Sequence, residues 1–232
     1  MRPRGLVIAI DGPAGAGKST LASRIARRHG YLNIETGAMY RALALKAILC
    51  DLSFDDEAPL LQLASASKIE LQPKIDGNRV LLDGENVSAR IREQDVTNAA
   101  SKVSVHPKVR EWMVARQREM GTEGGVVMEG RDIGTKVFPD ADVKIFLDAA
   151  PEVRGQRRFQ QHQMGSAQLE ASVIAEMKDR DQRDRSRAAS PLEAAADAVV
   201  IDSTSMDLDE VIARAEALID EKLEKLKPTS KP

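Results

Sequence analysis

The chain has 232 residues, with 42% hydrophobic and 30% charged side chains and a net charge of −2. That is long enough for one globular body with an insertion or two around a sizeable core. A near-neutral balance gives no global field for nucleic acid or an anionic membrane, so any anion must be held by local clusters. A single cysteine, Cys50, allows no internal disulfide and reads as a buried or half-buried apolar residue. No apolar run reaches about 18 residues, and the run after Met-Arg-Pro-Arg ends at Asp11, too short for a signal sequence. The expectation is a cytoplasmic, monomeric protein with small-molecule ligands and neither membrane nor nucleic-acid partners.

Leu6–Ile10 is apolar throughout and reads as a buried strand. It runs into Gly12-Pro13-Ala14-Gly15-Ala16-Gly17-Lys18-Ser19, which fits G-x-x-x-x-G-K-[ST] at every required position, and a helical pattern follows over about 19–29. Strand, glycine turn and helix N-terminus together cradle phosphate: backbone N–H groups converge on an anion, and the helix end adds about half a positive charge. Lys18 is predicted to reach the β- and γ-phosphates of a nucleoside triphosphate and the Ser19 hydroxyl to ligate Mg²⁺. Asp11, at the strand's end, is close enough to act near the phosphates.

Tyr31–Ile34 is the second strand. Glu35-Thr36-Gly37-Ala38-Met39-Tyr40-Arg41 follows and opens a helix over about 38–50. Thr36 suits a helix N-cap, and Arg41 can grip a second phosphate in a bidentate way. The rhythm then breaks. Short alternating segments at Ile69–Leu71, Arg79–Leu82 and Asn86–Val87 are separated by Asp76-Gly77-Asn78 and Asp83-Gly84, and helices flank them at Pro59–Ala66 and Asp95–Val103. This reads as a small antiparallel sheet inserted over about 63–102.

Alternation resumes with a helix at about 107–120 and strands at Val126–Met128, Val143–Leu147 and Val199–Ile201. Further helices lie at about 151–163, 168–187 and 207–225. Pro107 and Pro151 fit first-turn positions, and Leu208, Val211, Ile212, Ala215, Leu218, Ile219 and Leu223 form one packing face of the last helix. The fold class is α/β: a five-stranded parallel sheet with helices on both faces, carrying the antiparallel insert and a helical lid. Residues 1–36 and 103–232 form the phosphate-loop core, with the lid at about 153–187, and 37–102 form an acceptor-binding part. The chain end from Lys225 to Pro232 is expected to fray.

Glu129, Arg131 and Asp132 follow the third core strand and therefore enter the crevice at the strands' carboxyl ends. Glu129 is placed to hold Mg²⁺ through water. Arg180, Asp184 and Arg187 share one helix face, and Arg154 and Arg158 share another. A solvated helix laced with ion pairs is the plain reading of the stretch from Arg154 to Arg187; a phosphate loop across the crevice favours a phosphate-gripping one. In phosphoryl transfer, positioning and electrostatics dominate. Two unit charges at 4 Å repel by about 4 kcal/mol at an effective dielectric near 20, so several arginines point to an acceptor that is itself a phosphate. An alcohol acceptor would call for one aspartate base and fewer arginines.

These stretches resemble the bacterial-type cytidylate kinases of the nucleoside monophosphate kinase family. The motifs are Ile10–Thr20 (IDGPAGAGKST), Glu35–Arg41 (ETGAMYR), Asn98–Val103 (NAASKV), Pro107–Arg110 (PKVR), Glu129–Thr135 (EGRDIGT), Val137–Asp148 (VFPDADVKIFLD), Arg180–Arg187 (RDQRDRSR) and Asp202–Thr204 (DST). They run in order over nearly the whole chain. The resemblance implies phosphoryl transfer from ATP to CMP or dCMP with Mg²⁺, in pyrimidine nucleotide metabolism. It implies Arg41 and Arg131 as acceptor-phosphate ligands, and Thr36, Ser101, Arg110, Asp132 and Arg187 as the cytosine pocket, with Tyr40 in the same acceptor motif. Arg180 and Asp184 become the pentose contacts. Lys18, Arg131, Arg158 and Asp11 become the catalytic set, and Gly12 to Thr20 with Arg154 and Arg157 the ATP contacts. Two positions depart from the family pattern as expected: Glu35-Thr36 stands where an Asp-Ser pair is also found, and Lys18-Ser19-Thr20 offers two hydroxyls, of which Ser19 is assigned to the metal. Competing readings are a P-loop kinase for UMP or a small alcohol such as shikimate, and a nucleotide-dependent switch protein. The insert and lid are expected to close when both nucleotides bind. Trp112, Val109, Met113 and Met120 read as core, and His29, His106 and His162 show no metal spacing.

Overall fold

The computed structural model describes residues 2–74, 77–161 and 167–226. Its elements run in chain order as β1 (Val7–Asp11), α1 (Lys18–His29), β2 (Leu32–Glu35), α2 (Gly37–Leu49), α3 (Glu57–Ala66), β3 (Ile69–Lys74), β4 (Gly77–Leu82), β5 (Glu85–Asn86), α4 (Gln94–Val103), α5 (Pro107–Gly121), β6 (Val126–Gly130), β7 (Val143–Asp148), α6 (Pro151–Gln161), α7 (Ala167–Ser186), β8 (Val199–Asp202) and α8 (Leu208–Leu226). A 3₁₀ turn, Arg90–Arg92, precedes α4, and a π turn, Ile133–Val137, follows β6.

The main sheet is five-stranded in the order β2-β6-β1-β7-β8, parallel at every pairing. Its central strands β6, β1 and β7 are buried on both faces, whereas the edge strands β2 and β8 expose Leu32 and Val200. Ile8, Ile10, Val127, Leu147 and Ile201 pack with α1 and α8. Val7, Ala9, Val126 and Met128 face the opposite way, against the π turn and α5. On α8, Leu208 departs from the expected packing face and is exposed, whereas Val211, Ala215 and Ile219 are buried. The chain leaves β1 for the far strand β2 and later returns to β7 on the other side. The strand order therefore reverses at β1, and the crevice at its carboxyl end is where ligands of such sheets bind.

The insert is a three-stranded antiparallel sheet, β3-β4-β5. Asp83 and Gly84 turn between β4 and β5 with φ of 51° and 90°, the two positive angles that a tight hairpin of this kind requires. Of the other expected turn, Asp76 lies outside the described residues, and Asn78 belongs to β4. Asn78 docks the insert on the edge of the main sheet: its amide donates to Asn33 O at 2.6 Å and its Oδ1 accepts from Glu35 N at 2.9 Å. The side chain thus supplies β2 with the hydrogen bonds of a neighbouring strand. Helices α2 to α5 share a second core with β4 that includes Leu43, Leu60, Val96, Val109 and Met113, with Trp112 and Met120 packed on it. Cys50 ends α2 and is exposed, contrary to the apolar expectation, because the chain turns outward at the helix end.

Within the stretch from Arg154 to Arg187, Asp184 lies 3.5 Å from Arg187 three residues on, but other pairs join α6 to α7: Arg154 with Asp181 at 2.6 Å and Glu152 with Lys178 at 3.0 Å. Gly155 permits this approach, since a Cβ there would lie 2.3 Å from Ile174 Cγ1. The last residues of the helix expected at 151–163, with His162 and the tail beyond Leu226, lie outside the described residues.

Candidate active site

A cavity of about 500 Å³ opens at the carboxyl ends of β1, β2 and β6, lined on one side by the glycine loop and on the other by arginines. Backbone geometry builds the loop side. Gly12, Gly15 and Gly17 have φ of 146°, 74° and 97°, a region that L side chains rarely adopt. A Cβ on Gly12 would sit 2.0 Å from Leu147 O, and one on Gly15 would sit 2.7 Å from Met177 Cε on α7. Ala14, Gly15, Gly17, Lys18, Ser19 and Thr20 line the cavity; Gly12, Pro13 and Ala16 form the turn behind them. Lys18 is buried and donates to Pro13 O at 2.6 Å. Burial, then Arg131, push its ammonium well below the ordinary lysine value, against the opposing pull of Glu129 and Asp11.

Glu129 lies beside this lysine. Its Oε2 accepts from Ser19 Oγ at 2.9 Å, and its Oε1 is buried without a hydrogen-bond partner. Burial, then the carboxylate of Glu35, push its pKa well above the usual range; the two glutamates are register partners on β2 and β6. A hydroxyl and an under-satisfied carboxylate at the head of the phosphate-loop helix fit Mg²⁺, which is held by one or two protein groups and completed by substrate phosphates and water. Among the described residues, no group of three or more His, Cys, Asp or Glu forms a metal cluster.

Three charged residues expected at the site lie outside the cavity lining. Asp11 does not line the cavity: its carboxylate accepts from Ile133 N at 2.8 Å and Gly134 N at 2.7 Å, so it anchors the π turn under the site. Burial raises its pKa to about 6, against those two bonds. Arg154 is buried and braces the loop from behind, donating to Ala149 O at 2.8 Å and Ala14 O at 3.0 Å while paired with Asp181. Arg157 holds Ser203 after β8, at 3.0 Å to its hydroxyl and 2.8 Å to its carbonyl. Neither of these arginines lines the cavity, whereas Arg158 does.

Across from the loop, Arg41, Arg131, Arg158, Arg180 and Arg187 line one wall. Arg131 donates to Asp184 Oδ2 at 2.9 Å, and Asp184 Oδ1 lies 3.5 Å from Arg187. Burial and then Arg131 lower Arg180 to about 10, and burial with Arg41 lowers Arg158. These cations are held close together at a mutual cost that a polyanion would relieve.

A second cluster lies deeper. Arg110 and Asp132, both buried, pair at 2.6 Å, with the Arg110 guanidinium 5.4 Å from the centre of the Tyr40 ring. Burial raises the Tyr40 hydroxyl to about 12. Tyr40 OH, Ser101 Oγ, Arg110 Nε and two nitrogens of Arg187 are buried without hydrogen-bond partners. An unmet buried polar group costs about 1–3 kcal/mol, a cost that a polar ligand reaching these atoms would relieve; Ser101 itself is not in the cavity lining. Thr36 stands at the N-cap position of α2, but its hydroxyl donates to Glu129 O at 2.8 Å and does not cap the helix. Gly130 makes room for it, since a Cβ there would lie 2.8 Å from Thr36 Oγ1.

Sequence reasoning missed Glu35, Arg92, Thr97 and Ser104, all on the cavity wall or its rim. The spacing of Thr97, Ser101 and Ser104, four and three apart, marks one polar helix face and was available as a signal. Arg92 had none, because its position follows from the 3₁₀ turn.

A P-loop phosphotransferase with an anion-gripping wall opposite the donor loop is the class that this fold and cavity define. A family model for cytidylate kinase matches residues 8–221, and the chain belongs to that family. It is 46% identical over 220 residues to the cytidylate kinase of Pasteurella multocida (strain Pm70), covering 94% of this chain and 97% of that one. It is 49% identical to that of Geobacillus kaustophilus (strain HTA426), over 95% and 99% of the two chains. Identity to that of Solibacter usitatus (strain Ellin6076) is 51%, over 89% and 88%. Among solved structures, an uncharacterized protein from Eubacterium ventriosum ATCC 27560 superposes with a TM-score of 0.50 at 13% identity, covering 93% of this chain and 98% of that one, a likeness of fold alone.

Proposed function

We propose that the chain transfers the γ-phosphoryl group of ATP to the phosphate of CMP or dCMP, giving ADP and CDP or dCDP. The observation that carries this reading is the crowding of Lys18, Arg41, Arg131, Arg158 and Arg180 around one cavity, with burial and neighbouring cations weakening the hold of Lys18, Arg158 and Arg180 on their protons. Such a wall suits two phosphate chains meeting head to head. The acceptor oxygen is already anionic and needs no strong base; the new P–O bond forms as the bond to the β-phosphate oxygen breaks, and the released pair stays on ADP.

In this reading the glycine loop and Lys18 orient the donor phosphates, and Arg41 and Arg131 hold the acceptor phosphate in line. Arg158 offsets the charge spread over the transferring group. Ser19 and Glu129 would hold Mg²⁺, which would supply charge neutralisation to the donor phosphates. Asp132, with Arg110, Ser101 and Thr36, reads the cytosine edge; Asp184 and Arg180 meet the pentose. Helices α6 and α7 act as the lid and the 37–102 part as the acceptor arm, and their closure excludes water. Gln94 on α4 already bonds Glu176 at 3.1 Å and Arg158 at 3.3 Å across the opening.

The test is ATP-dependent turnover across CMP, dCMP, UMP and AMP. CMP and dCMP are expected to be the best acceptors. Equal or faster turnover of UMP would overturn the cytosine assignment, and ATP hydrolysis with no phosphorylated nucleotide would overturn the transferase reading.

A further inference from the structure

Glu35 occupies a position that the proposed reaction leaves unused. It ends β2 at the cavity, and its side chain retains 19% of its exposure. One carboxylate oxygen accepts from Arg41 Nη2, and the other lies 3.6 Å from Arg92 Nη2. Arg41 comes from the first turns of α2 and Arg92 from the 3₁₀ turn after the insert, and both line the cavity. Burial works against the Glu35 charge, but Arg41 and then Arg92 outweigh it, so the carboxylate stays ionised. The insert reaches the same residue a second time, through Asn78 Oδ1 on the Glu35 amide. One acidic side chain on the rigid sheet therefore joins two arginines from two different elements. Arginine has five donors, and Glu35 engages Arg41 through one nitrogen, which leaves the rest of the guanidinium for a ligand.

We propose that Glu35 is a positioning residue for the acceptor phosphate: its carboxylate holds Arg41 and Arg92 as a preset pair whose remaining N–H groups receive the monophosphate. This rests on the acceptor-site reading above and adds Arg92 to it. Long arginine side chains lose rotamer freedom when they grip a ligand, and a fixed counter-ion removes part of that loss before the ligand arrives. The role acts chiefly on acceptor binding, although the Glu35 charge also reaches Glu129 beside the donor loop.

The experiment is steady-state kinetics with CMP and ATP varied separately, for the wild type, Glu35→Gln, Arg41→Ala, Arg92→Ala and Glu35→Gln in the Arg41→Ala/Arg92→Ala background. Glu35→Gln keeps the shape and removes the charge. It is expected to raise KM for CMP about tenfold and to change KM for ATP by less than about twofold; in the double-arginine background it is expected to add less than about twofold. An unchanged or lowered KM for CMP would overturn the proposal, as would an undiminished effect in that background. Arg92→Ala truncates an exposed side chain and tests the pair independently of folding at Glu35; a wild-type KM for CMP there removes Arg92 from the proposal. If Arg41→Ala itself leaves KM for CMP unchanged, the acceptor-site reading fails. If Arg41→Ala raises it and Glu35→Gln does not, only the positioning role fails.

Discussion

The glycine loop and the arginine wall face each other across the same cavity, yet one is made of backbone and the other of side chains. The loop comes from a single stretch, Gly12 to Ser19, and its shape depends on left-handed φ angles and on contacts too close for a Cβ. The wall is assembled from Arg41 on α2, Arg110 on α5, Arg131 and Asp132 after β6, and Arg180, Asp184 and Arg187 at the end of α7. A backbone cradle is sequence-tolerant toward its ligand, because every triphosphate presents the same oxygens. A side-chain wall can discriminate, because each polar group must find its own partner. In the proposed reaction the donor side supplies a common phosphate site, and the acceptor side carries the choice of substrate.

That division separates the expected effects of substitution. Lys18→Ala should be the largest. It removes the loop's one cationic side chain, proposed to orient the donor phosphates, while leaving the backbone cradle, and kcat is expected to fall by about 10³-fold, the upper range for loss of one charge-stabilising donor. Its effect should be the same for CMP and dCMP; a loss confined to one acceptor would break the comparison. Asp132→Asn should act next, and in the opposite way. It leaves Arg110 buried with its ion partner gone, a change that costs about 3–5 kcal/mol of stability when such a pair is cut. Turnover of CMP is expected to fall about 10²-fold, with the preference over UMP narrowed and KM for ATP near wild type. Thermal denaturation alongside the acceptor panel checks it, and an intact preference for CMP would contradict the role of Asp132 in base choice.

Legibility in the sequence followed the same line. The central strands could be found from apolar runs, since parallel strands covered on both faces must be apolar throughout; the edge strand β2, Leu32–Glu35, is half polar and carries a weaker signal. The donor loop could be read residue by residue because its function resides in a contiguous pattern. On the acceptor side, charge alone did not tell which arginines face the ligand. Arg154 and Arg158 share a helix face, yet Arg154 is buried behind the loop against Ala14 O and Asp181 while Arg158 lines the cavity. Asp11 looked like a phosphate-side acid because it ends β1. The π turn after β6 claims both of its oxygens, and nothing local in the sequence signals a π turn. Glu35 was visible as a residue but not as a link, because Arg92 approaches it only once the insert has docked through Asn78.

The most direct test of the two-sided account is Arg131→Ala, measured with CMP and ATP varied independently. Arg131 sits between the halves: it repels Lys18 and is held by Asp184. The account predicts that kcat/KM for CMP falls about 10²-fold while the affinity for ATP, measured by titration without acceptor, stays within about threefold of wild type. An equal loss for both nucleotides, or wild-type kinetics for CMP, would contradict it.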